Sequence, residues 1–94
     1  MEVLWSLAAD EAMGVIEREG GKLVVAAIWD IIDRLGQDPF NRLLHTQQFA
    51  SPAYGQVRAT PTRYGQWVVL WQLRSDEDEG DYVVILAVVE LPWA

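Results

Sequence analysis

Tyr82-Val83-Val84-Ile85-Leu86-Ala87-Val88-Val89 is an almost wholly apolar run, rich in β-branched residues. A strand with one face in water alternates apolar and polar side chains, whereas a run without alternation needs cover on both faces. The run is also far too short to cross a bilayer as a helix. It therefore predicts the central strand of a sheet. Upstream, Trp67-Val68-Val69-Leu70-Trp71-Gln72-Leu73 reads as a second long strand, and Gln56–Thr60 as a short one. Between the two long strands lies Asp76-Glu77-Asp78-Glu79-Gly80, a polar, glycine-ended segment suited to a solvated hairpin connection.

The period changes in the first half of the chain. Val3-Leu4-Trp5 is a short strand candidate, and Ser6 stands where a side-chain oxygen would cap a helix over Leu7–Glu19. Gly20-Gly21 stops that helix. From Lys22 to Leu35, Val24, Ile28, Ile31, Ile32 and Leu35 recur at helical spacing, with Val25 and Trp29 widening the stripe. Gly36 is expected to end this second helix, and Asp38-Pro39 to keep it from resuming. Phe40–Gln47 is read as a possible extra helical turn, and Ser51–Gly55 as a turn closing the helical half. The order of strand, two-helix hairpin and three successive strands predicts an α+β fold, with helices grouped on one face of a mainly antiparallel meander. The 94 residues, about half of them apolar, suit a single domain over 1–94.

Charge and composition narrow the function. Fourteen acids against seven bases give a net charge of −7, the wrong balance for broad phosphate gripping. The charge is uneven, however. Arg34, Arg42, Arg58, Arg63 and Arg74 fall mid-chain, and the acids concentrate at residues 76–81, so a local basic face stays open. The absence of cysteine removes disulfides, thiolate zinc sites and a cysteine nucleophile, and is compatible with the reducing cytosol. The first residues, beginning Met1-Glu2-Val3, do not read as a signal peptide. A cytoplasmic location is the expectation.

Three local phrases then carry a resemblance. They are Trp5-Ser6-Leu7-Ala8-Ala9 at the first strand-to-helix step, Ile31-Ile32-Asp33-Arg34-Leu35-Gly36-Gln37-Asp38-Pro39 at the end of the second helix, and Val57-Arg58 followed by Gly65-Gln66-Trp67-Val68-Val69-Leu70-Trp71. In that order and spacing the chain resembles the RelE/ParE toxins of bacterial type II toxin–antitoxin pairs, over nearly its whole length. The resemblance implies a toxin held by a cognate antitoxin whose helical tail lays apolar side chains on the fold. It also implies a target that is either ribosome-bound mRNA, as in RelE-like members, or a protein, as in ParE-like ones. The departures bear on chemistry. Val68 stands where the family phrase has a phosphate-binding arginine, Trp67 and Trp71 replace its tyrosines, and Glu90 lies where a His-Arg or Tyr is expected near the C-terminus. These changes and the acidic charge favour a protein target, with ribonuclease activity weak or absent.

If RNA cleavage survives, it needs a base, an acid and cations for the phosphorane charge. Arg58 and Arg63 would supply cations and Glu90 a base; the bland reading makes the arginines strand-edge solubilising residues. His45, the lone histidine, reads more simply as a surface or capping residue. The 76–81 acid run invites calcium, but a loop begun at Asp76 needs its twelfth-position acid at Ala87, inside a strand. No metal or cofactor is expected. Five tryptophans are many for this length. Trp67 and Trp71, an even number apart, share one strand face with Val69 and Leu73 and are core if helices cover that face. Otherwise Trp67, Trp71 and Trp93 are candidates for binding a partner, either the antitoxin or a second copy. The alternative function is a noncatalytic protein-binding module, a degenerate relative of the toxin fold.

Overall fold

A computed structural model describes residues 1–41, 44, 47–64 and 66–91, excluding the side chain of Phe49. The elements run β1 (Glu2–Trp5), α1 (Leu7–Glu19), α2 (Lys22–Gln37), β2 (Gln47–Ser51), β3 (Gly55–Pro61), β4 (Trp67–Asp76) and β5 (Gly80–Glu90). The fold is α+β. The sheet order is β1-β5-β4-β3-β2, antiparallel throughout the β2–β5 meander and parallel only where β1 lies beside β5. The apolar run of residues 82–89 is thus an interior strand, flanked by β1 and β4, as its lack of alternation requires.

Ser6 fixes the step from β1 into α1. Its hydroxyl oxygen accepts the Ala9 N–H (3.0 Å), and its O–H donates to the Leu86 carbonyl (2.8 Å), so one side chain caps the helix and ties it to β5. At the other end of α1, Gly20 is needed for room, because a Cβ there would lie 2.6 Å from the Ile16 carbonyl oxygen. The two helices bury Ala9, Met13, Ile16, Ile28, Ile31, Ile32 and Leu35 against Val69, Trp71, Val83, Ile85 and Val88 of the sheet. Trp5 and Trp29 meet across β1 and α2 with ring centroids 5.5 Å apart.

Two expectations need correction. Helix α2 runs through Gly36 to Gln37, and the Asp38 N–H closes it on Arg34 O (2.8 Å). A Cβ at Gly36 would meet Val3 Cγ2 at 3.4 Å, an ordinary packing distance, so the helix passes through this glycine beside β1. Second, the meander has four strands, because Gln47–Ser51 forms β2 and pairs antiparallel with β3, from Gln47↔Ala59 to Ser51↔Gly55. The possible helical turn over Phe40–Gln47 is met in part: Phe40 lies in a turn with Pro39, Leu44 sits in a 3-10 turn with its N–H on Asn41 O (3.0 Å), and Gln47 already belongs to β2; Arg42, Leu43, His45 and Thr46 lie outside the described residues, as do Gly65, Pro92, Trp93 and Ala94. The acid loop does join β4 to β5. Asp76 Oδ1 accepts the Asp78 and Glu79 N–H groups (2.8 and 3.2 Å), and Gly80 takes the positive φ (84°) that ends such a turn.

A bulge sets which side chains face which way. Along β4, Leu70 pairs with Ala87 and Trp71 with Ile85, so Leu86 is the extra residue of β5. The slip lets Ile85 and Val88 both join the helix-side core, despite their odd separation, while Leu86 joins Val57, Val84, Leu70 and Tyr82 in a second cluster. No residue of α1 or α2 belongs to that second cluster. The sheet is apolar on both faces, and the helices pack on one.

Candidate functional site

Trp71 lies at the centre of the helix-covered face. It is fully buried, and its indole N–H donates to Thr60 Oγ1 (2.9 Å), whose own hydroxyl donates to the Leu44 carbonyl. Trp67, also on this face, is half-buried against the same core. The shared face expected of the two indoles is present and covered, so Trp71 offers no surface to a partner. Trp93 lies outside the described residues.

The three residues weighed for catalysis are spread along this face and its end. Arg58 pairs across to Trp71 and holds its guanidinium 5.8 Å from the indole centroid, which points to cation–π packing rather than a projecting charge. Glu90 pairs with Trp67, and the Thr62 N–H donates to the Trp67 carbonyl (2.9 Å), so Arg63 and Glu90 belong to the same end of the sheet. Glu90 is exposed and accepts a long bond from Gln66 Nε2 (3.5 Å). Arg58 lies farther along β3, since it is Pro61 that meets Val68 near that end. Arg58 and Glu90 stand on either side of β4 at positions four residues apart along it, Trp71 and Trp67.

Two concavities lie nearby, and of these residues only Arg63 lines one of them. One is a groove of about 330 Å³ on the side of the sheet opposite the main core, lined by Val57, Leu70, Leu86 and Ala87 of the sheet, by Ser51 and Tyr54, and by Ala8 from the first turn of α1. Tyr54 is held there by its own carbonyl, which accepts from Gln72 Nε2. Val57, Val84 and Leu86 are sheltered by one another and by Leu70 and Tyr82, whereas Leu4, Leu7 and Tyr54 are exposed. Leu4 pairs with Val84, which puts it on this same face. The acids stand at one end: Glu2 pairs with Tyr82, and Asp76 to Asp81 form the adjoining hairpin. The even spacing of Leu4 from Glu2, or of Leu70 from Val68, shows which side chains go together, but nothing in it tells which face the helices will take.

The second concavity is a cleft of about 440 Å³ between α2 and the chain leaving β3. Ala27, Ile31, Leu44 and Pro61 form its apolar part, and Asp30, Arg34 and Arg63 its charged part. Asp30 Oδ2 receives Arg34 Nε at 3.2 Å, one helical turn apart. The sequence suggested cations mid-chain, but not that Arg34 and Arg63 would share a cleft. Compared with known proteins, the chain matches no family model, no curated protein and no solved structure.

Proposed function

We propose that the chain is a protein-binding domain with the outline of a RelE/ParE-type toxin, acting through contact with other proteins and not through RNA cleavage. The observation that carries the reading is the apolar sheet face whose cluster holds no described residue of α1 or α2, with Leu4 and Tyr54 exposed along it. Exposed apolar surface of this kind beside a groove is a usual mark of a partner site. Acidic Glu2 and the residue 76–81 hairpin at its end select a partner segment with apolar anchors followed by lysine or arginine. An antitoxin's amphipathic tail has that character. The weakness of the ribonuclease reading is independent: Val68 is a buried strand residue at the position of the expected arginine, and Arg58 is packed on Trp71.

The test is inducible expression with and without the adjacent gene, scored for growth, alongside ribosome-dependent mRNA cleavage by the purified chain. Arrest relieved by the neighbour, without mRNA cleavage, is the expected result. Cleavage abolished by Arg58→Ala or Arg63→Ala would overturn it. Unimpaired growth, with a complex still formed with the neighbouring product, would identify the noncatalytic relative of the toxin fold instead.

A further inference from the structure

The chain is acidic, with a net charge of −7, yet the cleft between α2 and the end of β3 reverses that balance. Two arginines and one aspartate line it, for a local charge of one positive unit. Asp30 engages the Arg34 guanidinium through Nε (3.2 Å), and a guanidinium carries four further N–H donors on its terminal nitrogens. Arg63 is exposed and has no ion-pair partner among the described residues. Beneath them, Ala27, Ile31 and Leu44 are buried and present hydrocarbon. The nearby hydroxyls are already engaged. Thr60 serves the Trp71 indole and the Leu44 carbonyl, and Thr62 exchanges bonds with the Tyr64 backbone (3.2 Å each). Recognition of charge in this cleft therefore falls to Arg34 and Arg63.

We propose that this cleft binds a small monocarboxylate with an apolar body. Its volume lies in the range of ligand sites, roughly 300–1,000 Å³. Guanidinium groups engage a carboxylate by parallel charge-assisted hydrogen bonds, and the apolar wall removes the ligand's hydrocarbon from water. Asp30 decides the ligand's charge. With one carboxylate already in the lining, a single negative charge is matched, whereas a phosphate dianion meets repulsion from Asp30 and from the acidic chain as a whole. The site is independent of the bare sheet face, which lies on the other side of the sheet from α2.

The test is titration of the isotope-labelled full chain at neutral pH, followed by amide NMR, with 3-phenylpropionate, its neutral amide 3-phenylpropanamide, and inorganic phosphate. The carboxylate is expected to give saturable shifts at Ala27, Ile31, Thr62 and Arg63. The amide should bind at least about tenfold more weakly, and Arg63→Gln or Arg34→Gln should each weaken the carboxylate by about tenfold, the scale of a lost charge-assisted bond. Arg63→Gln changes an exposed side chain, and unshifted resonances in β5 would verify that the fold is kept. Equal binding of acid and amide, tighter binding of phosphate than of carboxylate, or no saturable shift with the acid would each overturn the proposal.

Discussion

The two faces of the sheet use the same strands and much the same side chains, but they end in different states. On the helix side, Val69, Trp71, Val83, Ile85 and Val88 meet the stripe of α2 and the inner edge of α1, and the deepest residues have no exposure. On the other side, Val57, Leu70, Tyr82, Val84 and Leu86 form a smaller cluster of strand residues among the described residues, with Ala8 of α1 beside the groove they line. Hydrophobic strands do not reveal which of their faces will be covered; the supply of helical surface decides that. The buried residues of the two helices pack on one face of the sheet, and on the proposed reading the other face is the one that meets a partner.

The contrast is tested first where it should be largest. Trp71→Ala on the covered face should cost about 3–5 kcal/mol in denaturant unfolding, because a large cavity opens beneath α2 and the Thr60 hydroxyl loses its donor. Thr60→Val, which keeps the shape but orphans the buried indole N–H, should cost about 1–3 kcal/mol. A near-neutral result would mean that the indole finds another acceptor. Ser6→Ala, at the point where α1 meets the bulged strand, should lower stability by about 1 kcal/mol, with the fraying localised to the first turn of α1 by hydrogen exchange. On the bare face, Leu4→Glu should change stability by no more than about 0.5 kcal/mol, since Leu4 is 44% exposed. A large loss there would show that the face is structural rather than available.

Much of this architecture is legible in the residues. Helix α1 spans the expected Leu7–Glu19, and the 82–89 run is interior as its composition demands. Strand β2 is not legible, because Gln47-Gln48-Phe49-Ala50-Ser51 has little strand character of its own and is held by the ladder to β3. The bulge at Leu86 is hidden for the opposite reason: in a run where every residue is apolar, a slip in facing leaves no mark. The candidate cleft depends on Arg34 and Arg63, which are remote in sequence and meet only because β3 ends beside α2. Arg58 and Glu90 are candidates through residue type and their places in the toxin-like phrases, and neither tells that Arg58 lies against Trp71.

The most direct measurement of the central claim is the solution mass of the protein, by sizing with light scattering, alone and with the adjacent gene's product, for the native sequence, Leu70→Glu and Trp67→Ala. The account predicts a complex with the native chain that Leu70→Glu abolishes and Trp67→Ala preserves, because Leu70 lines the groove on the bare face and Trp67 packs on the covered one. A chain that stays monomeric and ignores its neighbour, or a complex that survives Leu70→Glu, would contradict it.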